Sequence, residues 1–159
     1  PGIGGQVDYT EGLLTSYRSP KLRFAFPFGH GLSYTRFVYG PARIVPRGCE
    51  VAACVSLFVS NVGNRSGTDV VQAYVRFHVD TGEPKLVLRG YQRTSTLTPG
   101  TGEAVTFGFT ARDLSIYRSG HGWILQRDFD IHFGASSSDL REVVSFSART
   151  WRTLRRRQS

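Results

Sequence analysis

The chain has 159 residues, of which 40% are apolar and 20% charged, and its net charge is +8. That length suffices for one ordinary domain with a core of its own. No apolar run reaches the length of a membrane-spanning helix, so no membrane partner is expected. The chain contains no methionine and begins at Pro1. It therefore reads as a fragment or processed piece without initiator or signal peptide.

Residues 1 to about 35 have the character of a lead-in. Gly2, Gly4 and Gly5 favour loop, and a short apolar stretch around Leu13 and Leu14 is flanked by Tyr9 and Tyr17. Then comes Phe26-Pro27-Phe28-Gly29-His30-Gly31-Leu32-Ser33-Tyr34-Thr35. An ordinary surface linker is polar, whereas this run is aromatic. Pro27 fixes a backbone angle beside the phenylalanines, and Gly29 and Gly31 allow positive φ at a sharp bend. This is the chemistry of an aromatic-packed join between two domains. The candidate domain-interface residues are Phe24, Phe26, Phe28, Leu32 and Tyr34.

From Phe37 onward the apolar period is two. Ala53, Val55, Leu57 and Val59 share one strand face, with Ser56 and Ser60 on the other; Phe58 breaks that polar face and marks a possible partner surface. A turn rich in Asn, Gly and Ser covers 61–67. Val71, Ala73, Val75 and Phe77 then alternate with Val70, Gln72, Tyr74 and Arg76. A turn at 80–84 precedes one or two short strands around Gly90, and Pro99-Gly100 is a strong turn signal. Val105, Phe107 and Phe109 mark the next strand. The connection 112–122 has room for one helical turn, with Asp113 as its cap and Leu114 plugging the core. Trp123, Leu125, Phe129, Ile131 and Phe133 are expected on one face of a single following strand. A turn at 135–139 leads to the last strand, with Val144 and Phe146. About seven short strands separated by turns predict an all-β antiparallel sandwich.

Five of the eight net charges sit in Arg149, Arg152, Arg155, Arg156 and Arg157, in a terminal stretch without an acid. Residues 149–159 are expected to be a solvated, disordered basic tail, with Trp151 the one feature able to pin it. No aromatic RNA-binding signature accompanies the arginines, so nucleic acid is not an expected partner. Cys49 and Cys54 are an odd number of residues apart, which places them on opposite faces of an extended strand. The expectation is two unpaired thiols. A bridge across an irregular lead-in, or a partner elsewhere, remains open, and no metal-ligand spacing surrounds them.

Candidate chemistry is sparse. Glu11 reads as a structural acid. Asp128, Asp130 and His132 fall on one strand face opposite Phe129, Ile131 and Phe133, the pattern of a solvated sheet face. His30, in the join, suits either the active-site rim of a neighbouring domain or a hydrogen bond to a loop carbonyl, and His78 and His121 stand outside any motif. No Gly-x-Ser-x-Gly, phosphate-loop or zinc-protease pattern occurs. No residue is assigned as catalytic, cofactor-binding or metal-binding, and no cofactor is expected. Asn64-Arg65-Ser66 is an N-glycosylation acceptor pattern in an exposed turn, which makes Asn64 a candidate in a eukaryotic secretory compartment.

Several segments resemble the C-terminal fibronectin type III-like domain of glycoside hydrolase family 3, the β-glucosidases and β-xylosidases. The aromatic join resembles the motif that leads into that domain. Asn61-Val62-Gly63, Gly67 and Asp69-Val70-Val71-Gln72-Ala73-Tyr74-Val75 are similar to its Asn-x-Gly turn and following strand. Pro84-Lys85, Leu88-Arg89-Gly90-Tyr91, Leu97-Thr98-Pro99-Gly100, Phe107 and Asp113-Leu114-Ser115 continue the pattern in order. Gly134-Ala135-Ser136-Ser137-Ser138-Asp139-Leu140-Arg141 resembles its closing turn. Tyr9-Thr10-Glu11-Gly12 and Tyr17-Arg18 resemble the end of the preceding α/β domain, but Ser19-Pro20-Lys21 departs from the usual continuation. Gln126-Arg127-Asp128 replaces a usual Pro-Gly.

The resemblance implies residues 1–25 as the remnant of a preceding domain and linker, and 26–148 as the fibronectin type III-like domain. It implies a retaining enzyme that removes terminal, non-reducing β-D-glucosyl or β-D-xylosyl residues from oligosaccharides or glycosides. Both carboxylates of that mechanism lie upstream of the matched segments. The module's partners would be the catalytic domains of the same polypeptide, and its compartment secretory or periplasmic. A different reading is a freestanding carbohydrate- or protein-binding sandwich, with Tyr74, Tyr91 or Tyr117 as a sugar platform.

Overall fold

The computed structural model describes residues 10–158. Ten strands and one helix follow in order: β1 (Phe37–Tyr39), β2 (Arg43–Ile44), β3 (Ala53–Asn61), β4 (Val70–Phe77), β5 (Val87–Arg93), β6 (Gly102–Phe109), β7 (Ser115–Arg118), β8 (Gly122–Leu125), β9 (Phe129–Ser136), β10 (Asp139–Phe146) and α1 (Ala148–Gln158). All pairings between named strands are antiparallel.

One layer centres on β3. β6 pairs along one of its edges, and β1 and β2 pair successively along the other. β1 and β2 are two halves of one interrupted edge strand. The break falls at Gly40-Pro41, where proline has no N–H to donate to the ladder; Gly40 N–H still reaches Phe58 O at 2.7 Å. The second layer runs β10-β9-β4-β5. With β1 and β2 counted together, these layers contain seven strands, as the alternation predicts.

Alternation supplies the core. Val55, Val59, Val71, Val75, Ile131 and Phe133 are completely buried between the layers, and Phe107 meets Phe133 with ring centroids 5.2 Å apart. Leu114 plugs this core as expected. Asp113, however, does not cap a helix. Its Oδ2 accepts from Thr110 N–H (2.8 Å) and Thr110 Oγ (2.7 Å), closing a turn backward.

Other expectations are corrected as well. The segment from Trp123 to Phe133 is two strands, not one. β8 folds back on β7 as a separate hairpin, leaving Trp123 and Leu125 exposed, while β9 alone enters the sheet. Gly120 and Gly122, both at φ near +75° to +78°, make that reversal possible. The cysteines are bonded, with Cα atoms 5.8 Å apart. β3 begins only at Ala53, so Cys49 lies on irregular chain and strand alternation does not apply to it.

The basic tail is helical rather than disordered. Ser147 Oγ accepts from Thr150 N–H while Thr150 Oγ accepts from Ser147 N–H, a reciprocal cap at the helix start. Trp151 packs on Phe146 and Phe129 and donates Nε1–H to Arg127 O at 3.0 Å; Leu154 is buried in the core. The apolar anchors at positions 151 and 154 share a helix face.

Candidate functional site

The lead-in folds back onto the outer face of the four-stranded sheet. Ser16–Arg18 form a single 3₁₀ turn that presents Tyr17 to this face. Tyr17 stacks on Phe28 (4.3 Å) and meets Tyr74 edge-on (6.1 Å); its hydroxyl accepts the Leu88 N–H at 2.9 Å. Gln72 clamps the next stretch. Its Nε2 donates to Gly29 O (2.9 Å) and Ala135 O (2.7 Å), and its Oε1 accepts from Tyr74 Oη (2.5 Å). Gly29 has φ +79°, and a side chain there would run into the Gln72 amide. Glycine is therefore required twice over.

This clamp explains why β4 departs from simple alternation. Val71, Ala73, Val75 and Phe77 face the core, yet Gln72 and Tyr74 on the other face are also buried, at 6% and 0% exposure. Burial, and secondarily Tyr17, pushes the Tyr74 phenol up to about 12.

Past the clamp, the aromatic run turns outward. Phe28 is half committed to Tyr17, Phe26 stacks on His30 (5.3 Å) and is 68% exposed, and Leu32 and Tyr34 are each 94% exposed. Phe24 is half exposed. Water-facing apolar groups in such number over 11 residues make an exposed apolar face, which a folded surface gains by covering. His30 contributes a ring to this face instead of a side-chain bond to a carbonyl.

The other candidates scatter. Glu11 is exposed in a turn, and its backbone carbonyl accepts from Leu14 N–H. Asn64 is exposed at the bend after β3. Asp128 precedes β9, Asp130 accepts from Ser145 Oγ at 2.6 Å, and His132 is half-buried. Burial, then the neighbouring Arg76, holds the His132 imidazole below the usual range. Tyr74 is inaccessible, Tyr91 is exposed on β5, and Tyr117 packs beside Trp123 on the β7–β8 hairpin, so the three tyrosines share no platform. Phe58 is half exposed.

Sequence reading missed two networks. One is the Tyr17–Gln72–Tyr74 clamp. The other ties the closing turn to β1: Arg141 forks onto Asp139 (2.6 and 3.0 Å), donates to Phe37 O (3.0 Å) and lies over the Tyr39 ring (4.6 Å). Tyr39 in turn donates to Asp69 Oδ2 at 2.8 Å. The Arg141 hydrogen bond holds the Asp139 carboxyl below its ordinary range, and burial with Asp69 raises the Tyr39 phenol. The sequence signal was present as Asp139-x-Arg141, but its partner Tyr39 lies about a hundred positions away.

Two antiparallel layers with this connectivity define a fibronectin type III-like sandwich. Residues 69–137 match the fibronectin type III-like domain family. Thermostable β-glucosidase B of Acetivibrio thermocellus is 33% identical over 99% of this chain, which corresponds to 22% of that protein. β-D-glucoside glucohydrolase of Trichoderma reesei superposes with a TM-score of 0.83 at 28% identity, over 92% of this chain and 24% of that one. The GH3 β-glucosidase of Bifidobacterium adolescentis gives 0.80 at 28% identity, over 91% and 22%. The chain carries a fibronectin type III-like domain and is similar to the matching region of family 3 β-glucosidases. It spans about a fifth of the length of the relatives it matches.

Proposed function

We propose that this chain is the accessory, stabilising module of a family 3 β-glucosidase. It docks through Phe24, Phe26, Phe28, Leu32 and Tyr34 onto the catalytic domains of the same polypeptide. The observation that carries this reading is the pairing of two facts. Nearly the whole chain aligns with about a fifth of a β-glucosidase, and its lead-in presents an uncovered aromatic face.

In this reading the module does no chemistry. Residues 1–25 are the connection and 26–148 the module. The catalytic domains would supply the nucleophile and acid/base carboxylates that remove terminal β-D-glucosyl residues with retention. Each large apolar side chain fully covered on docking contributes about 1.5–3 kcal/mol. The Cys49–Cys54 bridge suits an oxidising compartment, secretory or periplasmic. In a eukaryotic host Asn64 would carry a glycan.

The test is expression of the complete polypeptide with and without residues 26–148, assayed on p-nitrophenyl β-D-glucoside and β-D-xyloside. The intact protein is expected to hydrolyse the glucoside and to lose thermal stability and activity when the module is removed. The 159-residue chain alone is expected to turn over neither substrate. Unchanged melting and activity after removal would overturn the docking role, and a preference for the xyloside would overturn the glucosidase assignment.

A further inference from the structure

We infer that the cleft beside the lead-in is a carboxylate socket, in which Arg18 and Arg76 receive an acidic side chain from the rest of the polypeptide when the module docks. This rests on the docking role proposed above and goes beyond it in naming a second, polar element of the interface.

The cleft has a volume of about 480 Å³. Leu14, Leu22, Phe24 and Phe28 form its apolar walls, and Arg18 and Arg76 also line it. The Nε atoms of both arginines are shielded from solvent and have no hydrogen-bond partner. Neither arginine takes part in any of the ion pairs formed among the described residues. Arg89, within electrostatic reach of Arg18, has a third shielded Nε in the same condition.

The nearby acids form no ion pair with either arginine, although Asp128 and Asp130 share a second cleft with Arg76. Glu83 lines the cleft, but it is paired with Arg118 at 4.0 Å, and Arg118 also donates to Thr81 O. Asp130 lies directly across the β4–β9 ladder from Arg76 yet takes its hydrogen bond from Ser145.

A buried donor without an acceptor is costly, and more so when it is charged. Besides its shielded Nε, each guanidinium carries four further N–H donors, and these are the donors an acceptor arriving in the cleft can reach. The planar fork of arginine fits a carboxylate in two-point geometry. The occupant we assign is the rest of the polypeptide, for two reasons. The chain spans 22% of the length of its Acetivibrio relative, so a large body of protein has to be accommodated. The cleft is also continuous with the aromatic face, because Phe24 and Phe28 belong to both. One docking surface would cover the rings and place its acid on the arginines.

The experiment compares the double variant Arg18→Gln, Arg76→Gln in two backgrounds, the 159-residue chain and the complete polypeptide. In the chain alone the melting temperature is expected to stay level or rise. In the complete polypeptide it is expected to fall by about 2–6 °C, and hydrogen exchange at residues 24–34 to speed up. An equal fall in both backgrounds would assign the arginines to the module's own stability and overturn the socket; so would no fall in the complete polypeptide. Stabilisation of the complete polypeptide by inorganic phosphate, lost in the double variant, would mean that docking leaves the cleft open, and would also overturn it. Exchange at 24–34 separates the two levels of the argument. If exchange is equal in the unmutated backgrounds, docking itself fails. If it is slowed in the complete polypeptide but indifferent to the variant, only the socket fails.

Discussion

At the residue scale, Asn61 is the most heavily used polar side chain. It is fully buried at the end of β3, and its Nδ2 donates to Arg65 O (2.7 Å) and Leu97 O (2.8 Å). Its Oδ1 accepts from Thr35 Oγ (2.6 Å) and Gly63 N–H (3.1 Å). One amide thus joins the lead-in, the bend and the β5–β6 connection. Asn61→Ala removes four hydrogen bonds and leaves buried partners unsatisfied, so a loss of about 2–4 kcal/mol is expected in urea unfolding. Asn64→Ala, three positions away but exposed, is expected to stay within about 0.5 kcal/mol. The Asn-x-Gly turn was legible in the sequence, but which asparagine bears the structure was not, because that depends on partners distant along the chain. His132 gives a pH prediction. Its folded pKa lies below the ordinary 6.5 because burial, then Arg76, disfavours the charged ring. The unfolded chain therefore binds the proton first, and stability falls as pH drops through about 6.5. Asp139, depressed by Arg141, adds a loss in the same direction at lower pH, as its carboxylate protonates. Urea midpoints measured from pH 8 to pH 5 are expected to decline, and His132→Gln is expected to flatten that decline.

At the element scale, α1 changes the status of the basic tail. Arginine content suggested a loose terminus, but the cap formed by Ser147 and Thr150 and the anchors Trp151 and Leu154 bind the helix to the open end of the core. Leu154→Ala is expected to cost about 2–3 kcal/mol, at the low end for a buried leucine because the helix can settle. Thermal unfolding followed by circular dichroism would measure it, and a cost near zero would show that the helix contributes nothing to the core. Ser147-x-x-Thr150 and the apolar pair at positions 151 and 154 were readable; charge outweighed them because composition carries no information about what a helix face will meet. The disulfide has the same lesson. Parity decides which face a cysteine takes only inside a strand, and the strand begins between the two.

At the scale of the whole molecule, the sandwich has two kinds of outer surface. The clamp by Gln72 and Tyr17 makes part of the lead-in integral to the module, while Phe26, Leu32 and Tyr34 remain in water. The isolated chain is expected to bind a hydrophobic dye and to self-associate. The triple variant Phe26→Ser, Leu32→Ser, Tyr34→Ser is expected to reduce dye binding severalfold at unchanged melting temperature. Dye binding indifferent to those substitutions would show that the face is not the sticky surface. The aromatic run itself was legible from its composition. The cleft beside it was not, since Arg18 and Arg76 are far apart in sequence and meet only because Tyr17 docks on the sheet.

The sequence by itself determined the all-β class, the inward faces of β3, β4, β6 and β9, the turns between them and the family resemblance. These follow from local rules, a period of two and the special backbone angles of glycine and proline, which need only neighbours along the chain. Tertiary structure alone decided the burial of both faces of β4, the separate β7–β8 hairpin, the helical tail, the Cys49–Cys54 bond and the shielded Nε atoms of Arg18 and Arg76. Each depends on which distant segment covers a given surface, and that coverage is set by the packing of the two layers and the lead-in together.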